Sequence, residues 1–445
     1  MRNLLFCTLL TAVAASVSPA QTVRGIKTFI AMGDSLGEGV QSGDSNSATQ
    51  PNSYLKLVAS RLRVPFPLPL IATSPIATVE STDHRSRILA STQSPNLAVS
   101  GADTGSALTD QADGVVNEEV DLVLSPRIGA QIDVAETMPS DLMVYWLGNN
   151  DALSAILAFD QLDASQLTPV NVFYANLDEG LRRLKAAGKT KVVVGNLINI
   201  PQIAFTFDAT QLRAFAGSDF GLAPGSRTSL IAALLLRSGI APANLLQSPA
   251  WVLDANELAT IQTRIDSFNA IIAERAAFYG YPVVDVKAAF DAYMANPPIV
   301  AGVPVTNQFN GGMFSLDGVH PSNTGHALVA NLFLATINQA YGLALAPYSQ
   351  SELDTIGASD PFLDLDGDGV VRGRPLKGLF ETLGPLFGVS GDTEGPVLAP
   401  VAGPQKATAA LARYHQLMGI TSPQGTPMEQ AVRMFKQIVS WGPKR

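Results

Sequence analysis

The sequence predicts a three-layer α/β/α fold on a five-stranded parallel sheet, and two observations carry that expectation. Five short apolar segments recur along the chain, at Thr28–Met32, Pro95–Ser100, Leu142–Leu147, Lys191–Leu197 and Tyr281–Val286. Long helix-compatible stretches separate them, which is the alternation of a parallel sheet covered by helices on both faces. The clearest helices are Asn52–Leu62, Asn171–Ala187 and Ala259–Tyr279. The last carries Ile261, Ile265, Phe268, Ile272 and Ala276 at spacings of three and four, the period of an amphipathic helix. A final helix is expected from about Ser322 to Tyr341.

In chain order, residues 1–20 come first: Arg2, an apolar run from Leu4 to Val17, and the small-residue exit Ser18-Pro19-Ala20. This is the pattern of a cleaved secretory signal, with a core too short for an ordinary membrane span. Cys7, the only cysteine, lies inside it, so the mature chain holds none. That excludes a cysteine nucleophile and a thiolate metal site, and a secreted or periplasmic bacterial protein is expected. The 445 residues are 47% hydrophobic and 15% charged, enough for one large core and a smaller appendage. A formal net charge of −9 argues against nucleic acid as a partner.

Directly behind the first apolar segment stands Gly33-Asp34-Ser35-Leu36-Gly37, a serine in a turn at the carboxyl end of a buried strand. Loops beyond strand ends in such sheets are where ligands bind. A second Gly43-Asp44-Ser45 lies among Ser, Asn and Gln with no strand before it, and reads as loop. The second apolar segment runs into Val99-Ser100-Gly101-Ala102-Asp103 and the third into Gly148-Asn149-Asn150-Asp151. Before the last helix comes Asp317-Gly318-Val319-His320-Pro321. An Asp three residues before a His, in a turn fixed by Gly and Pro, brings its carboxylate to Nδ1–H while Nε2 faces a hydroxyl. His84, His326 and His415 have no such Asp, and His326 is expected as a cap or core contact.

These blocks resemble the SGNH hydrolase family, also called the GDSL lipases and esterases. The family's four named residues fall here, in order, on Ser35, Gly101, Asn150 and His320. The resemblance implies the flavodoxin-like fold of that family over residues 25–345 and a chemistry that needs no cofactor. It further implies carboxylic ester hydrolysis through an acyl-enzyme on Ser35, with His320 as base and Asp317 orienting it. The oxyanion hole would comprise the backbone N–H of Ser35 and Gly101 and the Asn150 side chain. Gly33 to Gly37 also satisfies the G-x-S-x-G elbow of α/β-hydrolases. That elbow follows several strands, whereas Ser35 follows the first. Asn196-Leu197 through Pro201 resembles the lipase-like branch, so a small-molecule or lipid ester is the expected substrate. A carbohydrate O-deacetylase uses the same four residues, and a non-catalytic calcium-dependent surface protein on this scaffold is the reading from another class.

Three segments stand outside that pattern. Residues 199–256 are too long for an ordinary connection, and read as a lid, a substrate wall or a packed subdomain. Residues 346–400 read as a linker, in which Asp364, Asp366 and Asp368 alternate before Gly369, as in the first half of an EF-hand loop. The second half departs from it, with Arg372 at position nine and Pro375 where a bidentate Glu is expected, so a structural Ca²⁺ and a solvated acidic turn both stand as readings. Residues 401–445 carry Lys406, Arg413, Arg433, Lys436, Lys444 and Arg445 against Glu429 alone. Met428, Val432, Phe435 and Val439 form one apolar face, suited to an anionic lipid surface or to docking on the catalytic domain.

Overall fold

The computed structural model describes residues 25–72, 85–114, 118–367, 371 and 404–439. The expected signal at 1–20, His84 and Asp368 therefore lie outside the described residues.

The chain opens with β1 (Phe29–Gly33), α1 (Ser35–Glu38), α2 (Tyr54–Leu62), α3 (Ser106–Thr109), α4 (Glu119–Leu124) and α5 (Gln131–Thr137). Next come β2 (Leu142–Trp146), α6 (Asn149–Leu157), α7 (Val170–Ala186) and β3 (Val192–Gly195). The long connection holds β4 (Thr206–Phe207), α8 (Ala209–Ala216), β5 (Arg227–Ser229), α9 (Leu230–Arg237) and β6 (Val252–Leu253). After it follow α10 (Ala255–Tyr279), β7 (Val283–Val284), α11 (Val286–Ala295), β8 (Ile299–Val300), β9 (Val303–Pro304), α12 (Asn323–Tyr341) and α13 (Gln350–Ser359).

The main sheet runs β1-β2-β3-β7 with every pairing parallel. Side chains alternate between its faces, as the period of two requires. Ile30, Met32, Met143, Tyr145, Val192 and Val194 join one core with Phe173, Leu177 and Phe268 of α7 and α10. Phe29, Ala31, Leu142, Val144, Trp146 and Val193 join the other with Val58, Phe333 and Leu334 of α2 and α12. Burial on both faces explains why these strands read as unbroken apolar runs.

The sheet has four strands, where the sequence pattern called for five. The segment Pro95–Ser100 does lie along β1: Ala31 N–H donates to Pro95 O at 3.0 Å, Leu97 N–H to Ala31 O at 2.8 Å and Val99 N–H to Gly33 O at 3.1 Å. The ladder is interrupted within this run, because Gly33 N–H, in register with Leu97 O, is taken by the Gln131 side chain at 3.3 Å. On the outer edge Ala98 N–H is taken by the Asn96 side chain at 3.2 Å. Side-chain acceptors thus replace the backbone pairing a full strand needs.

The 199–256 segment folds with β4-β5-β6 antiparallel and α9 buried along its whole length, and its Ile200 and Ile203 line the same cavity as Ser35. Two tail helices, Pro404–Leu417 and Pro427–Val439, pack on it. Leu411, Met434 and Phe435 meet Leu234 and Leu235 of α9, and Lys436 pairs with Asp160 at 2.7 Å. Of the tail's apolar face, Phe435 is buried and Met428 and Val432 are half-buried, so that face is directed at the protein. In the acidic run, the Asp364 carboxylate accepts Gly367 N–H at 2.9 Å. Among the described residues no cluster of three or more acidic, His or Cys side chains could hold a metal ion.

Candidate active site

Ser35 owes its place to the end of β1. Asp34 caps α1, its Oδ1 accepting Leu36 N–H at 3.0 Å, so the chain turns sharply out of the sheet and Ser35 becomes the first helical residue. Gly37 is needed two residues on, because a Cβ there would lie 2.7 Å from the Ala98 Cβ. Ser35 is only 3% exposed and lines a cavity at the carboxyl edge of the sheet.

The other blocks are tied to this turn by buried hydrogen bonds. Asn149 Nδ2 donates to Asp34 Oδ2 at 2.9 Å, joining α6 to the serine turn. Burial pushes the Asp34 carboxyl up to about 6, against the Asn149 bond, which favours the charged form. Asn150 Nδ2 donates to Ala102 O at 2.8 Å, joining α6 to the loop of Gly101. Gly101 adopts φ +78°, a conformation glycine takes without strain. Asp151 accepts from Thr104 twice, from N–H at 2.9 Å and from Oγ1 at 3.0 Å. Burial, with the nearby Asp103 charge, raises the Asp151 carboxyl to about 7.

The histidine turn is just as closely bonded. His320 Nδ1 lies 2.7 Å from Asp317 Oδ2, both side chains fully buried. Asp317 Oδ1 also accepts the N–H groups of Val319 at 2.9 Å and His320 at 2.8 Å, and Oδ2 accepts Gly43 N–H at 2.8 Å. Burial alone would raise this carboxyl, but the His320 charge and these donors outweigh it and hold it below its ordinary value. An ionised carboxylate only accepts, so Nδ1 carries a proton towards Asp317 and Nε2 is the ring atom left to exchange a proton with a nucleophile. The loop after α1 is stitched to this turn: Gln41 Nε2 donates to Pro321 O at 3.2 Å and to Asn323 Oδ1 at 3.0 Å, and Ser42 N–H donates to Ser315 Oγ at 2.9 Å. The sequence-predicted residues Ser35, Gly101, Asn150, Asp317 and His320 therefore lie on helix starts and loops bonded to one another, whereas Asp364 and Asp366 are not part of this set.

The remaining histidines have other roles. His326 is fully buried, accepts Tyr54 N–H on Nδ1 at 3.3 Å, and is pushed down to about 3 by burial, so it is a neutral core contact. His415 is buried in the tail beside the Tyr414 ring.

Gly43-Asp44-Ser45 lies in a loop, as expected, and Ser45 within it is fully buried. Its Oγ bonds the Glu38 carboxylate and accepts from Arg85 at 2.7 Å. Glu38 and Arg85 escaped the sequence reading altogether. Their one local signal is that Glu38 stands three residues after Ser35, on the same short helix.

The family described as GDSL-like Lipase/Acylhydrolase matches residues 29–333. No curated protein matches the chain. Among solved structures, the lipase/acylhydrolase from Enterococcus faecalis is similar at 17% identity and a TM-score of 0.32, covering 72% of this chain and 98% of that one. Phospholipase A1 from Streptomyces albidoflavus NA297 is similar at 16% identity and a TM-score of 0.36, covering 70% and 99%. Axe2, an acetylxylan esterase from Geobacillus stearothermophilus, gives 14% identity and a TM-score of 0.34 over 70% and 94%. The family match takes in more than half of the chain and every block from Ser35 to His320, and the chain belongs to the GDSL-like lipase/acylhydrolase family.

Proposed function

We propose that the protein hydrolyses carboxylic esters with an extended acyl group through an acyl-enzyme on Ser35. Ser35 Oγ attacks the ester carbonyl as its proton passes to His320 Nε2. The oxyanion that forms is met by the N–H groups of Ser35 and Gly101 and by the Asn150 amide. When the intermediate collapses, the alcohol leaves with the proton from His320. Water then attacks the acyl-enzyme by the same route, freeing the acid and Ser35. Asp317 keeps the imidazole in the required tautomer and balances its charge in between. No cofactor enters these steps, and with residues 1–20 read as a cleaved secretory signal the reaction would take place outside the cytoplasm.

One observation carries the choice of substrate. The cavity that Ser35 lines opens to solvent at one side, and its non-atom space, counted together with the solvent at its mouth, is about 640 Å³. Its walls are almost wholly apolar, with Trp146, Ile200, Ile203, Phe290, Phe314 and Val329 among them. Such walls suit an acyl chain, whereas sugar hydroxyls would be left without partners there. A panel of p-nitrophenyl esters from acetate to palmitate, run beside acetylated sugars, tests the reading. The expected result is kcat/KM rising as the acyl chain lengthens beyond acetate. A preference for acetylated sugars would make the protein a deacetylase, and no turnover of any ester would leave a non-catalytic scaffold.

A further inference from the structure

The loop from Ser100 to Thr104 carries Gly101 between two buried carboxylates. Glu38 Oε2 accepts from Ser100 twice, from N–H at 2.7 Å and from Oγ at 2.8 Å. Asp151 accepts from Thr104 in the same way at the other end, from N–H at 2.9 Å and from Oγ1 at 3.0 Å. Glu38 closes the short helix that begins with Ser35, and Asp151 directly follows Asn150 on α6. Each carboxylate thus ties the loop of Gly101 to the element that bears another donor of the proposed oxyanion hole.

We infer that Glu38 and Asp151 are positioning residues, a pair of clamps that set the Gly101 N–H relative to the Ser35 N–H and the Asn150 amide. The inference rests on the ester-hydrolase reading above. Each carboxylate takes two donors from one residue, which fixes the two ends of a loop already tied in its middle by Ala102 N–H to Val99 O at 3.1 Å and by Asn150 Nδ2 to Ala102 O at 2.8 Å. Glu38 is itself held in place: Arg85 lies 3.8 Å away and also faces Asp44 at 3.4 Å and Glu119, and Ser45 donates to the other Glu38 oxygen. Donors fixed before the charge develops need no reorganisation at the moment of reaction, and that is what the clamps supply.

The test uses the full-length enzyme with Glu38→Gln, Asp151→Asn, Ser100→Ala and Thr104→Val. For each, kcat and KM for one ester are measured beside the affinity for an alkylboronic acid, whose tetrahedral adduct on Ser35 places an oxygen in the oxyanion hole. A displaced donor is expected to lower kcat by roughly 10- to 100-fold in the carboxylate variants, as for a misplacement of about 1 Å. The hydroxyl deletions should lose less, KM should stay within about twofold, and boronate affinity should fall in step with kcat. Ser100→Thr, which keeps both donors, should recover most of the kcat lost in Ser100→Ala. If Glu38→Gln or Asp151→Asn does not fold, Ser100→Ala and Thr104→Val decide. Unchanged kcat in the folded variants, or a fall in kcat with boronate affinity intact, overturns the clamps and leaves the ester-hydrolase reading standing. A wild-type enzyme that neither turns over esters nor binds the boronate overturns both.

Discussion

Ser35 stands on a border between two unlike regions. Towards Gly101 its surroundings are polar and closed by hydrogen bonds: Glu38, Ser45 and Arg85 on one flank, Asn150, Asp151 and Thr104 on the other. Towards Trp146, Phe290 and Val329 the walls are apolar and enclose empty space. Groups fixed by buried hydrogen bonds act on charge, which appears in the transition state. Apolar walls act on a chain that is bound before and during the reaction alike. On the proposed reading, the first region sets kcat and the second sets ground-state binding.

The largest effects are expected at the border itself. Ser35→Ala and His320→Ala should each lower kcat by roughly 10⁴ or more with the fold kept, measured by steady-state kinetics beside circular dichroism. On the polar side, Asn150→Ala should cost roughly 10²–10³ in kcat with a smaller change in KM. A change confined to KM would move Asn150 to the binding side and break the comparison. On the apolar side, Val329→Phe narrows the cavity and should raise KM for an octanoyl ester by roughly tenfold while leaving an acetyl ester nearly unchanged. Equal loss on both esters would show that the cavity holds no acyl chain.

A smaller effect separates the two sides by pH. His326 is pushed down to about 3 in the fold from an ordinary 6.5, so the unfolded chain takes up its proton first as pH falls. Its contribution to stability is present above pH 6.5 and lost towards pH 3, a change on the order of a few kcal/mol. Asp34, Asp44 and Asp151 work the other way, since carboxyls raised to about 6, 6 and 7 bind protons in the fold before the unfolded chain does. His326→Asn, which keeps an acceptor for Tyr54 N–H, should therefore flatten the loss of stability between pH 6.5 and 4, read from urea midpoints. The smallest effect is expected from EDTA, which should leave kcat unchanged, because the hydrogen bonds that join the site do not involve Asp364 or Asp366.

Much of this was legible where the chemistry is local in the chain. Ser35 follows its strand directly, and Asp317 reaches His320 across one turn, so each could be placed from a handful of residues. The strands were legible for the same reason, as continuous apolar runs. The fifth was misread because what interrupts its ladder is remote: Gln131 takes the Gly33 N–H from 98 positions away. The clamps on Gly101 were hidden likewise, since Glu38 meets Ser100 across 62 positions and Asp151 meets Thr104 across 47. A buried Glu–Arg cluster looks in sequence like any scattered charges. The cavity was invisible too, because its walls come from β2, α6, α11, α12 and the loops between them.

The central claim is that Ser35 is the nucleophile and that the acyl chain lies in the apolar cavity beside it. It is tested most directly by reacting the enzyme with p-nitrophenyl alkylphosphonates of increasing chain length and mapping the adduct by mass spectrometry. The account predicts a single adduct on Ser35, formed faster as the alkyl chain lengthens from methyl to octyl, with the gain lost in Val329→Phe. An adduct on another residue, or a rate on Ser35 that does not respond to chain length, would contradict it.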